Sequence, residues 1–223
     1  MAKSIVSAFI LTMLLTAAAA ASQPAGTTAL GVRLGLFTNK SNELNQPNDE
    51  VKLFGNRTNF YVEAYANYYL TRWLAGVLNL GSYSKGDITF DVYVNGVFDG
   101  QFLGQASIFP MQLGLKVSPF STQFPGKARP YLEGGGAFII GRETATLGPY
   151  DSYWARYTDG SVASESDWGW WLGGGAEIPL TEALSFDTMV KYLDNKFNGD
   201  IAGISNYSGW QFSIGIVYVF LRK

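Results

Sequence analysis

The residues best placed to do chemistry are seven charges: Arg33, Glu63, Lys116, Glu133, Glu177, Asp187 and Lys191. Each falls in a stretch where apolar and polar residues alternate, on the more polar parity and beside Tyr, Gly, Asn or Gln. Alternation at period two makes these stretches β-strands with two unlike faces, so the seven charges share the inner face of whatever the strands enclose. Three are cations and four are carboxylates. A charge alone in a small interior is costly, so mutual pairing is expected. The competing reading is an ion path or proton relay.

What the chain lacks narrows the chemistry further. It has no His and no Cys, so neither a Ser-His-Asp site nor a His- or thiolate-based metal site can be built from it. A carboxylate dyad would need two of Glu63, Glu133, Glu177 and Asp187 away from the cations. The Gly runs at 134–136 and 173–175 precede no helix, which removes the phosphate-cradling reading. They read as small residues that let a curved wall pack closely. Asp194, Asn195, Asn198 and Asp200 could hold Ca²⁺ weakly, but without the EF-hand spacing an Asx-rich turn is expected. Asn56-Arg-Thr58 and Asn206-Tyr-Ser208 match glycosylation sequons and carry no weight in the reading that follows. No cofactor is expected.

Eight segments position those charges: 29–37, 59–70, 73–84, 105–118, 129–142, 167–180, 184–194 and 207–220. Along the second, Phe60, Val62, Ala64, Ala66, Tyr68 and Leu70 oppose Tyr61, Glu63, Tyr65, Asn67 and Tyr69. Each is about as long as the roughly 9–11 residues a tilted transmembrane strand requires. Their connections alternate between long and short. "TRW" and "TEA" are tight, "PFSTQFPGKA" is intermediate, and the other links are long and polar. Short turns at one end and long loops at the other mark an outer-membrane barrel. Aromatics sort by height as well. Tyr68, Trp73, Phe186, Tyr218 and Phe220 lie near the short turns, and Phe60, Trp168, Trp170, Tyr192 and Trp210 near the long loops, as two interfacial girdles would.

Composition agrees. Charged residues make up 15% of the chain where about 25% is usual, aromatics another 15%, and the net charge of −2 leaves no footprint for nucleic acid. A soluble lipocalin-like barrel would hide its large apolar residues inside; here the polar parity is the inner one. The N-terminus, Lys3 followed by an apolar run from Ile5 to Leu15 and small residues at Ala19 and Ala21, reads as a secretory signal over residues 1–22. That run is shorter than the roughly 20 residues a spanning helix needs. The expectation is therefore an all-β, eight-stranded antiparallel up-and-down transmembrane β-barrel over 23–223, with both termini periplasmic. Tyr61, Tyr65, Tyr69, Tyr131 and Trp171 would fill its lumen, with Gly31, Gly35, Gly135 and Gly173 making room.

The terminal strand carries a second kind of signal. Ser213, Gly215, Tyr218 and Phe220 are spaced polar-x-Gly-x-x-aromatic-x-aromatic, with Leu221, Arg222 and Lys223 after them. This resembles the C-terminal signal by which bacterial outer-membrane barrels are recognised by their assembly machinery. Segments such as "RPYLEGGGAF" and "WWLGGGAEIPL", with the chain length and loop order, resemble the small OmpX-like and OmpA-transmembrane-like barrels. The resemblance implies membership of that group, a place in the outer membrane, and outer-membrane lipids and the assembly machinery as partners. It argues against the barrel enzymes that modify lipid, whose known sites use His.

One connection stands apart. "DITFDVYVNGVFDGQF" has β-rich flanks around Asn95-Gly96, the strongest short hairpin signal there is. A two-residue turn pairs Val94 with Val97, and the same register carries down to Leu80 with Met111 and Leu78 with Leu113. The third and fourth strands should thus continue past the bilayer as an extended extracellular hairpin. Ile88, Phe90, Val92 and Val94 line one face of this ribbon, and its free edges are a template for strand addition by a surface protein or host ligand. The alternative is that neighbouring loops, such as 143–166, cover it. A structural and surface-interaction role follows, against a narrow passive channel as the alternative and a lipid-modifying enzyme as the third.

Overall fold

The computed structural model describes residues 25–40, 51–54, 58–94, 97–118, 128–147, 164–201 and 204–220. The expected signal segment, Asn95, Gly96 and residues 221–223 lie outside them. The strands are β1 (Thr28–Asn39), β2 (Val51–Phe54), β3 (Thr58–Tyr69), β4 (Leu74–Val94), β5 (Val97–Val117) and β6 (Arg129–Leu147). They continue with β7 (Ser164–Pro179), β8 (Leu184–Asp194), β9 (Lys196–Ile201), β10 (Ile204–Asn206) and β11 (Gly209–Phe220).

Eight of these close on themselves in the order β4-β3-β1-β11-β8-β7-β6-β5, with β5 returning to β4. Every pairing is antiparallel. The first strand meets the last without interruption from Thr28↔Phe220 to Asn39↔Gly209, so the wall has no open edge in the hydrocarbon region, where each unpaired N–H or C=O would cost several kcal/mol. The eight expected segments are the eight wall strands.

Parity separates the two faces sharply. Along β1, Leu30, Val32, Leu34 and Leu36 are exposed while Ala29, Arg33 and Phe37 are buried. Leu113 is 70% exposed and Trp168 74%, whereas Arg33, Glu63, Asp187 and Lys191 are all at 0%. A water-soluble barrel has the reverse arrangement. The outward rings form rows at the long-connection end: Trp170 lies 5.5 Å from Tyr192, and Tyr192 lies 5.2 Å from Trp210. Tyr218 and Phe220 meet at 5.0 Å at the other end.

Three features depart from the sequence reading. First, β4 and β5 do form one continuous ribbon, with Tyr93↔Phe98 and Val94↔Val97 paired, but the register between membrane and tip is not unbroken. It shifts between Lys85↔Ala106 and Ile88↔Gly104 and shifts back between Val92↔Gly100 and Tyr93↔Phe98. One bulge adds a residue to β4 and the other adds one to β5, so they cancel and Val94 still pairs with Val97; bulges of this kind raise local twist. Second, the ribbon's edges are not free along their length. Strand β2 pairs with β4 from Val51↔Val92 to Phe54↔Thr89, across the positions of Phe90 and Val92, and β6 follows β5 as far as Phe102↔Leu147. Unpaired backbone groups gain hydrogen bonds from whatever strand is nearest, and here the chain supplies its own. Third, residues 194–200 are not a turn: β9 and β10 form a hairpin that folds inward.

Candidate functional site

The lumen is the candidate site, and it is built from inward positions of all eight wall strands. Arg33 of β1 is its hub. Its Nε donates to Asp187 Oδ2 at 2.5 Å, its Nη1 to Glu63 Oε1 at 2.8 Å and Glu133 Oε1 at 3.4 Å, and its Nη2 to Tyr131 OH at 3.2 Å. The guanidinium also stacks 3.8 Å from the Tyr65 ring centre. A planar fork with five donors suits a belt of carboxylates on three different strands, where an ammonium would reach fewer partners.

Two lysines complete the belt. Lys191 of β8 pairs with Glu63 Oε2 and donates to Gln112 Oε1 at 2.6 Å. Lys116 of β5 pairs with Glu177 of β7 and lies 3.8 Å from the centre of the Tyr131 ring. Three phenols add further donors to Glu63 and Asp187. Tyr61 donates to Glu63 Oε2 at 2.8 Å, Tyr65 to Asp187 Oδ2 at 3.0 Å, and Tyr131 to Asp187 Oδ1 at 2.8 Å. The seven residues thus meet in one belt, each carboxylate facing at least one cation. Pairing of this kind is what makes buried ions tolerable.

Room for the rings comes from opposing glycines. A Cβ at Gly31 would lie 2.4 Å from Cζ of Tyr65, and one at Gly81 would lie 2.0 Å from the Tyr61 hydroxyl. Trp171 passes beside Gly114 and donates from Nε1 to the carbonyl of Gly136 at 3.2 Å.

Above and below the belt, apolar side chains cluster in the lumen. Toward the short turns, Tyr65, Tyr69, Ala75, Val217 and Val219 form one cluster. Toward the long connections, Phe37, Tyr83, Ile108, Ile139 and Leu193 join four residues of the inward hairpin and its exit: Phe197, Ile201, Ile204 and Tyr207. These four are almost completely buried. Tyr207 fixes the hairpin in place, since its carbonyl accepts from Asn39 and Tyr83 and its hydroxyl donates to Ile201 O at 2.6 Å. Hairpin β9–β10 is therefore a cap over the mouth. Of the four residues suggested for Ca²⁺, Asn195 is buried and Asn198 exposed, on opposite sides of the hairpin, while Ser208 Oγ donates to Asp194 Oδ1.

Two features of the site escaped sequence reasoning. Lys85 is buried in the lumen at the level of the cap, 5.8 Å from the Tyr207 ring centre. It shares the parity of Asn79 and Tyr83, but it lies past the membrane segment 73–84, in the stretch expected to project beyond the bilayer as ribbon. The cap's apolar residues were hidden because "DNKFNGDIAGISNYS" is too polar and too Gly-rich to read as a strand pair.

The residues of the terminal-strand motif divide by face. Ser213 points into the lumen, Tyr218 and Phe220 outward, and Gly215 sits opposite Arg33 with no room for a Cβ beside its side chain. Of the ribbon positions, Ile88, Phe90, Val92 and Val94 lie in the backbone of β4 beyond the bulge at Gly86-Asp87.

A closed eight-stranded wall with a charged inside and a lipid-facing outside is matched by the family described as outer membrane protein beta-barrel domain, over residues 7–220. The chain belongs to this family. Solved structures agree on the fold. OprG from Pseudomonas aeruginosa is 18% identical, with 90% of this chain and 99% of that one covered and a TM-score of 0.62. Neisserial surface protein A is 15% identical, covering 88% and 98%, at 0.53. A major outer membrane protein from Thermus thermophilus is 14% identical, covering 87% and 98%, at 0.52. No curated protein matches the chain. Like these, it is a small outer-membrane barrel, and the resemblance to the OmpX-like group holds.

Proposed function

We propose that this barrel is a closed wall element of the outer membrane whose role is structural and surface-directed. It contributes to membrane integrity and meets partners through its long connections and the β4–β5 ribbon, which face outward while both termini face the periplasm. The observation that carries this reading is the filled lumen: an ion-pair belt between two clusters of buried apolar side chains, with β9–β10 docked over the mouth. The reading assigns no catalytic step, because each carboxylate of the belt faces a cation. The exported chain, its signal removed, is delivered to the barrel assembly machinery through Ser213, Gly215, Tyr218 and Phe220.

One observation favours the channel alternative. Asn67, Asn79 Oδ1, Gln112 Nε2 and Glu133 Oε2 are buried polar groups with no partner among the described residues, and such groups are commonly met by water. Single-channel recording of the barrel in a planar bilayer separates the two readings. A silent, heat-modifiable barrel is expected, and Lys116→Met or Lys191→Met should lower stability without opening a current. Discrete, reproducible steps that change with either lysine would make the lumen a conduit. The surface role has its own test. Deleting residues 88–101 should leave the barrel intact and abolish adhesion of barrel-bearing vesicles to host cells; unchanged adhesion would remove the ribbon from the function.

A further inference from the structure

The outer wall is not evenly clad. Across β7, β8, β11 and β1 two adjoining depressions of about 540 and 690 Å³ share Gly174 and Val190 and so form one groove. Leu34, Leu36, Phe212 and Ile214 line the first, Leu132 and Leu172 the second, and Gly174 and Val190 line both. The floor is low because Gly174 faces lipid without a side chain. A Cβ there would meet only Leu132 Cδ2 at 3.0 Å and the Tyr131 carbonyl at 3.3 Å.

The upper end changes character. Trp170, Tyr192 and Trp210 ring it, at the height where aromatic groups sit between hydrocarbon and water. Just above them is Lys40, the sole charged residue lining the groove among those described. Its backbone N–H is tied to Ser208 O at 2.8 Å, which fixes where the side chain starts. The side chain is exposed, and among the described residues its ammonium has no carboxylate partner.

Length supplies the last constraint. From the level of Ser208 to Ile214 the strand advances roughly 20 Å at about 3.3 Å per residue. Tilted by about 40°, that is roughly 15 Å of depth, or half of a 30 Å core. The groove is one leaflet deep, mostly apolar with Thr188 and Ser213 as its uncharged polar lining, and cationic only at the headgroup level.

We propose that this groove seats one phosphorylated, multiply acylated lipid of the outer leaflet, an acyl chain lying over Gly174 and a phosphate on Lys40. Lys is a point-charge phosphate binder, so the contact selects for the anion rather than for a headgroup shape. The leaflet assignment rests on the outward orientation of the long connections proposed above; the lipid contact itself does not.

Native mass spectrometry of the full barrel in detergent tests it, with bis-phosphorylated lipid A and its dephosphorylated counterpart as probes. One lipid A should be retained per barrel, at least tenfold more tightly than the dephosphorylated form. Lys40→Gln should abolish that preference. Gly174→Leu and Val190→Phe fill the groove and should each weaken retention of both lipids at least tenfold, with heat-modifiable migration reporting that the barrel is folded. Should Gly174→Leu fail to fold, Val190→Phe decides. Equal retention of the two probes, a phosphate preference that survives Lys40→Gln, or unchanged retention in the folded groove variants would overturn the proposal. Detergent has no leaflets, so none of these outcomes depends on orientation. Protease access to the long connections on intact cells tests orientation separately.

Discussion

Arg33 is the residue on which the lumen turns. It is fully buried and touches Glu63, Glu133, Asp187 and Tyr131, so its charge offsets carboxylates from three other strands. Arg33→Met keeps most of the bulk and removes the cation, leaving Asp187 without its ion-pair partner. Breaking one side of a buried pair typically costs about 3–5 kcal/mol, and a loss of that size is expected in the unfolding free energy obtained by urea titration of the folded barrel in micelles. Arg33→Lys should lose less, because the charge stays while the fork is gone. A loss no larger than that of an exposed Lys196→Met control would mean the belt contributes little to stability.

At the scale of elements, the β9–β10 cap is the piece that differs most from the reading of the chain. Its hold depends on a few apolar residues and on Tyr207. Tyr207→Ala should remove packing comparable to other large aromatic truncations, about 3–5 kcal/mol, but locally. Hydrogen exchange of residues 196–206 should become fast while β1, β8 and β11 stay protected, since those strands hold each other through their own ladders. Uniform loss of protection would show the cap to be part of one cooperative unit with the wall. The β4–β5 ribbon is legible as a hairpin from Asn95-Gly96, because a two-residue turn sets the register locally. Its two bulges are not legible, because each is a compromise between twist and the neighbouring strands β2 and β6.

For the whole molecule, lipid is the solvent of one face and the protein itself fills the other. Ile216 is half exposed on the lipid face, opposite Val32 in the closing pair of strands. Ile216→Arg should cost roughly 2–4 kcal/mol in refolding into lipid vesicles, the depth-dependent range for a cation near mid-membrane. Ile216→Val, which keeps the face apolar, should be close to neutral. Equal folding of the two variants would mean that this position is not in hydrocarbon.

Alternation alone settled a great deal. It marks eight strands, tells the lipid face from the lumen face, and puts Arg33, Glu63, Lys116, Glu133, Glu177, Asp187 and Lys191 inside, because a period of two leaves each side chain only two directions. Loop lengths then separate the two ends of the barrel. Which charge pairs with which was beyond the sequence: Arg33 meets Asp187 across 154 residues and Lys191 meets Glu63 across 128, contacts set by closure and stagger rather than by any local pattern. The cap was likewise a tertiary decision, since Phe197, Ile201, Ile204 and Tyr207 become a core only once there is a mouth to cover. Lys40 and Gly174 lie far apart along the chain and share one groove only because β1 closes against β11, which brings the first strand beside the last.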